Sequence, residues 1–541
     1  MHAECRRIES ESVEKCDCHL RRFYCFLWGS NCCGATRPQN VLLLLADDAG
    51  FEMGAYLNKY CQTPNLDALA SMGLLFNNAF TSVSSCSPSR AQLLTGQASH
   101  SSGMYGLHQG VHNFNVLPEI ISLPNVLRQQ SNGSILSGII GKKHVGPGAN
   151  FKFDFEQTEE QHSINQIGRN ITRMKEYAHE FLSQAKRENR PFFLTVAFHD
   201  PHRCGHITPQ FGEFCERWGS GEEGMGSIPD WKPIYYDWRN LEVPPWLPDT
   251  DVVRQELAAQ YMTISRLDQG VSLMLRELQR SGLAENTIVI YTSDNGPPFP
   301  GGRTNLYEHG IRSPLIISSP QPDARRHQTS AAMVSLLDIY PTVLDALQLS
   351  PSNGTRFSGQ SILPVLFNEP KPEENDAVFG SQSYHEVTMA YPMRMVRNRR
   401  YKLIHNLNYW ADFPIDQDFY TSPTFQQILN ATINKQALPW YRTLQQYYQR
   451  PEWELYDIKT DPLERFNLAE KPKYTATLKQ LQQKLFKWQV DTEDPWRCAP
   501  HAVLQAQGVF KKDPVCLTLG HEAIQRPKRK VLSQYEQYVL I

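Results

Sequence analysis

Four runs of consecutive apolar residues, each followed by polar residues, are the first pattern along this chain. They are VLLLLADD (41–48), GIIG (138–141), PFFLTVAFHD (191–200) and TIVIYTSDNG (287–296). A continuous apolar run is typical of a strand buried on both faces of a parallel sheet. Before the last run, apolar residues recur at alternating steps of four and three from Leu257 to Leu278, and Gly282 stands where a helix usually ends. This alternation predicts an α/β fold with a mainly parallel central sheet flanked by helices.

Polar residues follow each predicted strand. In parallel sheets, ligand sites lie beyond the carboxyl ends of the strands, so we expect these side chains to meet in one crevice. An acidic residue on the apolar stripe of the long helix, Asp268, is interpreted as a buried anchor and not as a catalytic group. The residues at the four strand ends are Asp47, Asp48, Lys142, His144, His199, Asp200, His202, Asp294 and Asn295.

Length and local composition predict how the chain divides. A chain of 541 residues exceeds what one compact core usually needs. The charged, Pro-containing stretch PKPEEND (370–376) indicates a linker, and the hairpin-like WELYDIKTDPLERFNLA (453–469) favours an antiparallel sheet beyond it. We predict an atypical, disordered N-terminal segment at 1–37, a catalytic domain at 38–372, and a smaller C-terminal α+β domain at 373–541.

Charge and hydropathy exclude two classes of protein. The net charge of −2 provides no basic excess of the kind that a nucleic-acid protein needs. No run of apolar residues reaches the roughly 18 that a membrane span requires. An anionic substrate would therefore have to meet a local cluster of basic side chains.

Cysteines and sequons bear on the compartment. Six of the 12 cysteines lie within the first 33 residues, where no recognisable secretory signal is present. The pairs Cys204/Cys215 and Cys498/Cys516 are either disulfides that close short loops or unpaired thiols. N-glycosylation sequons begin at Asn132, Asn170, Asn353 and Asn430. Together these features favour an oxidising, extracytoplasmic history.

The segment SVSSCSPSRAQLLTG (82–96) contains the pattern C-x-P-x-R, formed by Cys86, Pro88 and Arg90. With TPNLDALA (63–70) and SLLDIYPTVLDAL (335–347) it resembles the sulfatase family. Other segments are similar to the sulfamidase branch of that family, which cleaves N-linked sulfate. These are FTSVSSCSPSR (80–90), GMYGLHQ (103–109), GIIGKKHVGP (138–147), AFHDPHRCGH (197–206), FGSQSYHEVTM (379–389) and FPIDQDFY (413–420). The resemblance implies an alkaline-phosphatase-like fold.

The resemblance implies that Cys86 is the nucleophile precursor. In sulfatases this cysteine is oxidised to formylglycine by the formylglycine-generating enzyme, and the aldehyde hydrates to a diol. One hydroxyl of the diol receives the sulfuryl group, and the other expels sulfate when the aldehyde re-forms. Arg90 would hold the diol in place. The alternative is an inert buried thiol.

A metal site is predicted from Asp47, Asp48, Asp294 and Asn295, with the oxygen derived from Cys86 as a further ligand. Oxygen-only ligands favour Ca²⁺ or Mg²⁺ over zinc or copper, and the resemblance selects one calcium ion per chain. Acidic pairs after strands also occur as simple turn or capping residues, which is the alternative for each pair taken alone.

Basic residues complete the expected site. By resemblance, Lys142 binds a sulfate oxygen, and His144 takes the proton of the second hydroxyl as a general base. His202 is the expected acid for the departing nitrogen, and the guanidinium of Arg303 suits a bidentate grip on sulfate. Contacts with the sugar are expected from Asp200, His385 and Glu386.

The resemblance implies hydrolysis of the N-sulfate of non-reducing-end N-sulfoglucosamine in heparan sulfate or heparin by a lysosomal glycoprotein that forms a homodimer. Two alternatives stay open at this point. One is an O-sulfatase that uses the same machinery on a sulfated sugar. The other is an inactive glycosaminoglycan-binding protein that kept the fold.

Overall fold

Eight strands form the central sheet of the computed structural model, which describes residues 40–162, 166–205, 211–350 and 356–518. The predicted segment 1–37 and the sequon at Asn353 lie outside these residues. The strands are β1 (Asn40–Ala46), β2 (Leu74–Phe80), β3 (Leu136–Gly141), β4 (Phe155–Thr158), β5 (Phe192–Ala197), β6 (Thr287–Ser293), β7 (Leu315–Ser318) and β8 (Gln328–Ser335).

The central sheet is mainly parallel, as predicted. Its strand order is β4-β3-β5-β1-β6-β7-β2-β8, and only β7 runs antiparallel to its two neighbours. Along β1, Leu43 and Leu45 enter the core on one face, whereas Leu42 and Leu44 enter the core on the other. The continuous apolar run therefore reflects a central strand covered by helices on both sides. The four strands predicted from apolar runs are neighbours in the sheet, so their carboxyl ends lie side by side.

Helices connect the strands and cover the sheet. The longest, α6, matches the predicted amphipathic helix and ends at Gly282, which has φ 76°. The helices are α1 (Pro64–Met72), α2 (Cys86–Thr95), α3 (Ser99–Ser102), α4 (Leu123–Gln130), α5 (Ile171–Glu188), α6 (Asp251–Ser281), α7 (Glu308–Ile311), α8 (Ile339–Ala346), α9 (Gln417–Thr421), α10 (Pro423–Ile433), α11 (Leu444–Tyr448) and α12 (Thr475–Asp491). In the described parts of the chain, no helix is both long and apolar enough to cross a membrane.

Asp268 of α6 is a buried anchor, as interpreted from the sequence. Its carboxylate accepts hydrogen bonds from the backbone N–H groups of Asn65 and Leu66 at 3.0 and 2.8 Å. The side chain of Asn65 donates a further bond at 2.6 Å. Asp268 therefore satisfies free N–H groups at the start of α1 and fixes that helix to α6.

A second, antiparallel sheet follows the central one, as predicted. Its order is β12-β11-β10-β9, and a separate hairpin pairs β13 with β14. The described residues, from 40 to 518, belong to one compact unit, so the predicted division near residue 372 stays a prediction. The strands are β9 (Ala377–Gln382), β10 (Met393–Asn398), β11 (Tyr401–Asn406), β12 (Trp453–Asp457), β13 (Ala502–Gln505) and β14 (Val515–Thr518).

The hairpin expected over 453–469 is wrong in one respect. Only its first arm, β12, is a strand. The second arm bonds to it through the backbone at Leu468, whose N–H donates to Leu455 O at 2.8 Å, and through the side chain of Asn467, which accepts from Leu455 N–H and donates to Trp453 O, both at 2.9 Å. Both predicted disulfides are present, Cys204–Cys215 and Cys498–Cys516.

Two buried carboxyl groups, Asp338 and Asp268, contribute more stability at mildly acidic pH than at neutral pH. Burial raises the pKa of Asp338 to about 7 and that of Asp268 to about 6, against about 3.9 in an unfolded chain. Through these two groups the folded state binds more protons between about pH 4 and pH 7, and their contribution to the free energy of unfolding falls as pH rises through that window. His100 and His309 act in the opposite direction, because burial lowers the pKa of each to about 3. We therefore expect Asp338→Asn, which cannot titrate at this position, to lose less melting temperature than the wild type between pH 5 and pH 7.5, as measured by calorimetry.

Below about pH 4, a lowered pKa makes the free energy of unfolding fall as the pH falls. Although burial opposes it, the charges of Lys402 and Arg397 hold the pKa of Glu308 well below its usual range. The stability that Glu308 contributes is present above its unfolded pKa, near 4.3, and is lost in stronger acid. An equal change of melting temperature in the wild type and in Asp338→Asn between pH 5 and pH 7.5 would contradict the prediction.

Candidate active site

A cavity of about 640 Å³ opens where the carboxyl ends of β1, β3, β5 and β6 meet. Six residues predicted from the sequence line it, namely Cys86, Lys142, His144, His202, His385 and Glu386. His199, expected at the end of its strand, also lines the cavity. The polar lining further includes residues to which the sequence analysis gave no place in the site, which are Gln109, His112, Glu159, Glu160, Gln166, Gln417 and Asp418. The strand ends thus converge as expected.

Carboxylates cluster at the base of this cavity. Ligand atoms of Asp47, Cys86 and Asp294 all lie within 4.8 Å of one another. Asp48 joins the group because its backbone N–H donates to Asp294 Oδ1 at 3.1 Å, and Asn295 Nδ2 donates to Asp48 Oδ1 at 2.6 Å. A second combination, Asp47 with His199 and His202, is also spaced for a metal ion.

The electrostatics of this cluster suit a hard cation. Burial and the charge of Asp47 raise the pKa of Asp294 well above its usual value, and burial raises that of Asp48 to about 6. Asn295 Oδ1 is buried and receives no hydrogen bond from the described residues. A free amide oxygen beside mutually repelling carboxylates is the donor set that Ca²⁺ or Mg²⁺ would satisfy.

Cys86 is the first residue of α2 and is 1% exposed. Burial raises the pKa of its thiol well above the usual value, and Asp47 and Asp48 raise it further, although Lys142 acts in the opposite direction. Because the thiolate is the nucleophilic form of cysteine, an unmodified Cys86 is unsuited to attack a substrate. Cys86 therefore lies at the centre of the site, but it must be chemically modified before it can act as a nucleophile.

Two buried cations hold the carboxylates in place. Arg90, one turn after Cys86 on α2, donates from Nε to Asp294 Oδ2 at 3.0 Å, and its Nη2 lies 3.2 Å from Asp47 Oδ1. Lys142 Nζ donates to Asp47 Oδ2. Although burial opposes it, the charges of Lys142 and Arg90 hold the pKa of Asp47 well below its usual range. Asp47 is therefore a carboxylate at any physiological pH.

The side chain of His144 lines the cavity, and its ring is not used to hold the fold together. Its backbone has φ 54°, so residues 142–144 are not the extended segment that the sequence suggested, yet Lys142 and His144 both line the cavity. Neither ring nitrogen has a hydrogen-bond partner among the described residues. Burial and the charges of Lys142 and Arg90 lower the pKa of His144 well below its usual value, which leaves the ring neutral and able to accept a proton.

Comparison with known proteins agrees with this geometry. Residues 39–349 match the family model described as Sulfatase, and residues 302–437 match the model described as N-sulphoglucosamine sulphohydrolase, C-terminal. The N-sulphoglucosamine sulphohydrolase of Homo sapiens is 54% identical over 493 residues, which cover 90% of this chain and 96% of the relative.

The chain belongs to the sulfatase family.

The chain is also similar to more distant proteins. Arylsulfatase A of Homo sapiens is 26% identical over 84% of this chain and 89% of its own length. A solved structure, described as a complex with its substrate D-glucosamine-2-N,6-O-disulfate, superposes with a TM-score of 0.60 at 22% identity, over 85% of this chain and 99% of that one. The superposition supports the fold.

In this sulfatase, His202 and Arg303 form one bonded unit. His202 Nδ1 donates to Arg203 O at 2.7 Å, so the neutral ring has its proton on Nδ1, and Nε2 accepts from Arg303 Nη1 at 2.8 Å. In this arrangement Nε2 has no proton to give. The predicted acid role of His202 therefore requires an imidazolium. Burial and the charge of Lys142 lower the pKa of His202 well below its usual value, so the ring is neutral in this arrangement. The Oδ2 atoms of Asp48 and Asp418, 3.7 and 3.8 Å from Nε2, are the nearest anions to a proton there.

The direct contact predicted between Arg303 and sulfate is not supported. The guanidinium is 1% exposed and does not line the cavity. Its Nη1 also donates to Asp48 Oδ2 at 2.6 Å, and its Nη2 donates to Asp416 and Asp418 at 2.6 and 2.7 Å. Arg303 therefore holds three acidic side chains in place behind the residues that line the cavity.

Asp200 also departs from its predicted contact with the sugar. It is 1% exposed, and its carboxylate is bonded to Arg169 and, at 2.6 and 2.8 Å, to Arg266. These two arginines further donate to backbone carbonyls of 202, 203, 215 and 218. Asp200 is a buried anchor that shapes the loop carrying His202.

We therefore expect Asp200→Ala to act on stability. Removing the carboxylate leaves Arg169 and Arg266 buried without their counter-ion, which costs about 3–5 kcal/mol. Urea unfolding should show this loss, whereas Asp323→Ala, at an exposed position, should leave the midpoint unchanged. A variant of normal stability with only a raised KM would restore the original interpretation.

His385 and Glu386 lie at the cavity, as predicted, on the segment after β9. His385 Nδ1 shares a hydrogen bond with the hydroxyl of Ser85 at 2.8 Å, and its Nε2 lies 3.2 Å from Asp416 Oδ2. Glu386 Oε1 accepts the N–H of Gln417 at 3.3 Å. The second sheet therefore contributes one wall of the site of this sulfatase.

The sequence prediction missed two groups of acidic residues. Glu159 Oε1 bonds His199 Nδ1 at 2.8 Å, and Glu160 Oε1 accepts the backbone N–H of His144 at 2.6 Å. They follow the short strand β4, which has no continuous apolar run to reveal it. Asp416 and Asp418 lie in FPIDQDFY (413–420), a motif that was recognised without assigning a role to its carboxylates.

Proposed function

We propose that this sulfatase hydrolyses the N-sulfate of non-reducing-end N-sulfoglucosamine in heparan sulfate or heparin. The observation that carries the proposal is the 54% identity, over nearly the whole length of both chains, to the human N-sulphoglucosamine sulphohydrolase. The site is consistent with this reaction because a buried cysteine, a carboxylate cluster, a lysine and a neutral histidine meet at one cavity.

The reaction requires two groups that the chain would hold. Asp47, Asp48, Asp294 and Asn295 would bind calcium, with the oxygen of residue 86 as a further ligand. Cys86 would be converted to formylglycine, whose hydrate supplies one hydroxyl to take the sulfuryl group and another whose deprotonation releases sulfate. Bound calcium would polarise these oxygens and neutralise the charge of the sulfate. Because Cys86 is 1% exposed, the modifying enzyme must act before the chain folds.

The protein groups around residue 86 have separate tasks. Lys142 lines the cavity beside Asp47 and would bind a sulfate oxygen. Arg90 fixes Asp47 and Asp294 from below, which keeps the oxygen ligands in register. His144, neutral and free at both nitrogens, would take the proton whose removal releases sulfate. His202, once protonated, would serve the departing nitrogen.

The proposal also covers the cellular compartment, the glycosylation and the oligomeric state of the enzyme. Two disulfides are consistent with passage through an oxidising compartment. The sequon residues Asn132 and Asn430 are exposed, as a glycan would require, whereas Asn170 caps α5 by accepting the N–H of Arg173 at 3.1 Å. We propose a lysosomal glycoprotein that acts as a homodimer.

An assay with paired substrates tests the reaction. Purified enzyme from cells that contain the modifying enzyme should release sulfate from an N-sulfoglucosamine glycoside in the presence of calcium. The matched glycoside with N-acetyl and 6-O-sulfate groups should be cleaved far more slowly. Faster release from the O-sulfated partner would favour an O-sulfatase, and no release from either would favour the inactive binding protein.

A further inference from the structure

The motif FPIDQDFY places two carboxylates at the N-terminal end of α9, against Arg303. Arg303 Nη2 donates to Asp416 Oδ2 at 2.6 Å and to Asp418 Oδ2 at 2.7 Å. The same guanidinium reaches Asp48 and His202 through Nη1. Arg303 therefore connects the motif to the reaction centre, although the sequence analysis assigned no role to these two carboxylates.

The two carboxylates differ in what remains available to a ligand. Asp416 is 1% exposed, and its Oδ1 accepts the N–H of Asp418 at 2.8 Å while its Oδ2 faces Arg303 and His385. Asp418 has a side chain that is 15% exposed, and it lines the cavity. Asp416 thus acts as a structural support, whereas Asp418 presents a carboxylate to the substrate.

The cavity wall at Asp418 is negatively charged. One guanidinium, that of Arg303, is shared by Asp48, Asp416 and Asp418. Glu386 lines the same wall, and its carboxylate accepts the N–H of Gln417, next to Asp418. Burial and the charge of Asp416 raise the pKa of Glu386, which is the expected sign for crowded carboxyl groups. A sulfate group would be repelled here, whereas a cation would be stabilised.

The two sides of the cavity thus favour ligand groups of opposite charge. Cys86, Lys142 and His144 line the side where the sulfuryl group reacts. His202 lies between that side and the acidic wall, since its Nε2 is 3.7 Å from Asp48 and 3.8 Å from Asp418. The acidic wall therefore lies on the side of the leaving group.

We propose that Asp418 and Glu386 form a subsite for the primary ammonium group of a 2-amino sugar, the leaving group of the reaction. The inference rests on the proposed function, in which R–NH–SO₃⁻ + H₂O gives R–NH₃⁺ + SO₄²⁻. The S–N bond breaks, water supplies the oxygen that sulfur gains, and the nitrogen gains two protons and a positive charge. An alcohol released from an O-sulfate gains no such charge, so the subsite favours N-sulfated over O-sulfated substrates.

Binding of glucosamine, measured by calorimetry at pH 5 and again as competitive inhibition, tests the subsite. The wild-type enzyme should bind glucosamine at least about tenfold more tightly than glucose or N-acetylglucosamine, in line with about 1.4 kcal/mol for one charge-assisted contact. Asp418→Asn removes the charge but keeps an oxygen that can accept from Arg303, and it should abolish most of this preference. Glu386→Gln should reduce the preference, and Asp323→Asn, the same change at an exposed position, should leave it intact.

The outcomes separate this inference from the reaction on which it rests. Equal preference for glucosamine in the wild type, Asp418→Asn and Glu386→Gln would overturn the subsite, even if N-sulfoglucosamine is hydrolysed. A wild type that binds no amino sugar preferentially would overturn it too. Failure of the wild type to hydrolyse N-sulfoglucosamine would instead contradict the proposed function. If Asp418→Asn melts early, Glu386→Gln, whose carboxylate makes no bond to Arg303, provides the same comparison.

Discussion

Cys86→Ala and Cys86→Ser are expected to reduce turnover of N-sulfoglucosamine by at least about 10³-fold, the scale of losing a nucleophile. Alanine offers no hydroxyl. Serine offers one, but the sulfate ester it would form has no second hydroxyl to expel sulfate. Sulfate release, followed together with mass spectrometry of the peptide that carries residue 86, measures both the rate and the modification.

Cys61 provides the matched control. It is the other free cysteine among the described residues, is 4% exposed, and packs against apolar side chains away from the cavity. Cys61→Ala should therefore lower stability slightly and leave turnover near the wild-type value. If Cys86→Ala kept a near-normal rate, or if active wild-type enzyme carried only an unmodified thiol at residue 86, the assignment of the nucleophile would be wrong.

His144→Gln is expected to lower kcat by about 10²–10⁴-fold, the usual contribution of a general base. Its ring has no hydrogen-bond partner to lose among the described residues, so the melting temperature should change little. Stopped-time assays over a range of substrate concentrations should show the loss in kcat and only a small change in KM.

His100→Ala is the control for a purely structural histidine, because it should lower stability and leave kcat unchanged. Its ring bonds the hydroxyls of Ser381 and Thr492, both at 2.8 Å, and burial lowers its pKa to about 3. His100→Ala should cost about 1–3 kcal/mol of stability because it removes a buried ring and both of its hydrogen bonds, with kcat close to normal. A His144→Gln variant that loses stability but keeps its kcat would remove His144 from the mechanism.

The central sheet could be predicted because its strands leave an unambiguous signal. A strand covered on both faces has apolar residues at every position, and the run from Val41 to Leu45 is such a case. Once strand ends are known, Asp47, Lys142 and Asp294 follow from the rule that ligands bind at the carboxyl edge of a parallel sheet.

The detailed roles of side chains could not be predicted in the same way. Asp200 follows a strand like Asp47, yet two arginines from distant parts of the chain neutralise it, and no local pattern predicts that Arg169 and Arg266 lie there. Arg303 is expected at sulfate by resemblance and by the shape of its guanidinium, but three carboxylates from two separate segments bind it instead. Long-range ion pairs depend on tertiary packing, which hydropathy along the chain does not encode.

The dependence of Arg303 on α9 has a consequence for truncated forms of the enzyme. A chain cut between the central sheet and residue 416 would keep every proposed calcium ligand and the cysteine to be modified, but would lose two of the three anions around a guanidinium that is 1% exposed. In such a fragment the buried cation beside His202 would keep one of its three anions, Asp48. Nonsense changes that spare all the catalytic positions of the large sheet should therefore abolish activity as completely as early ones.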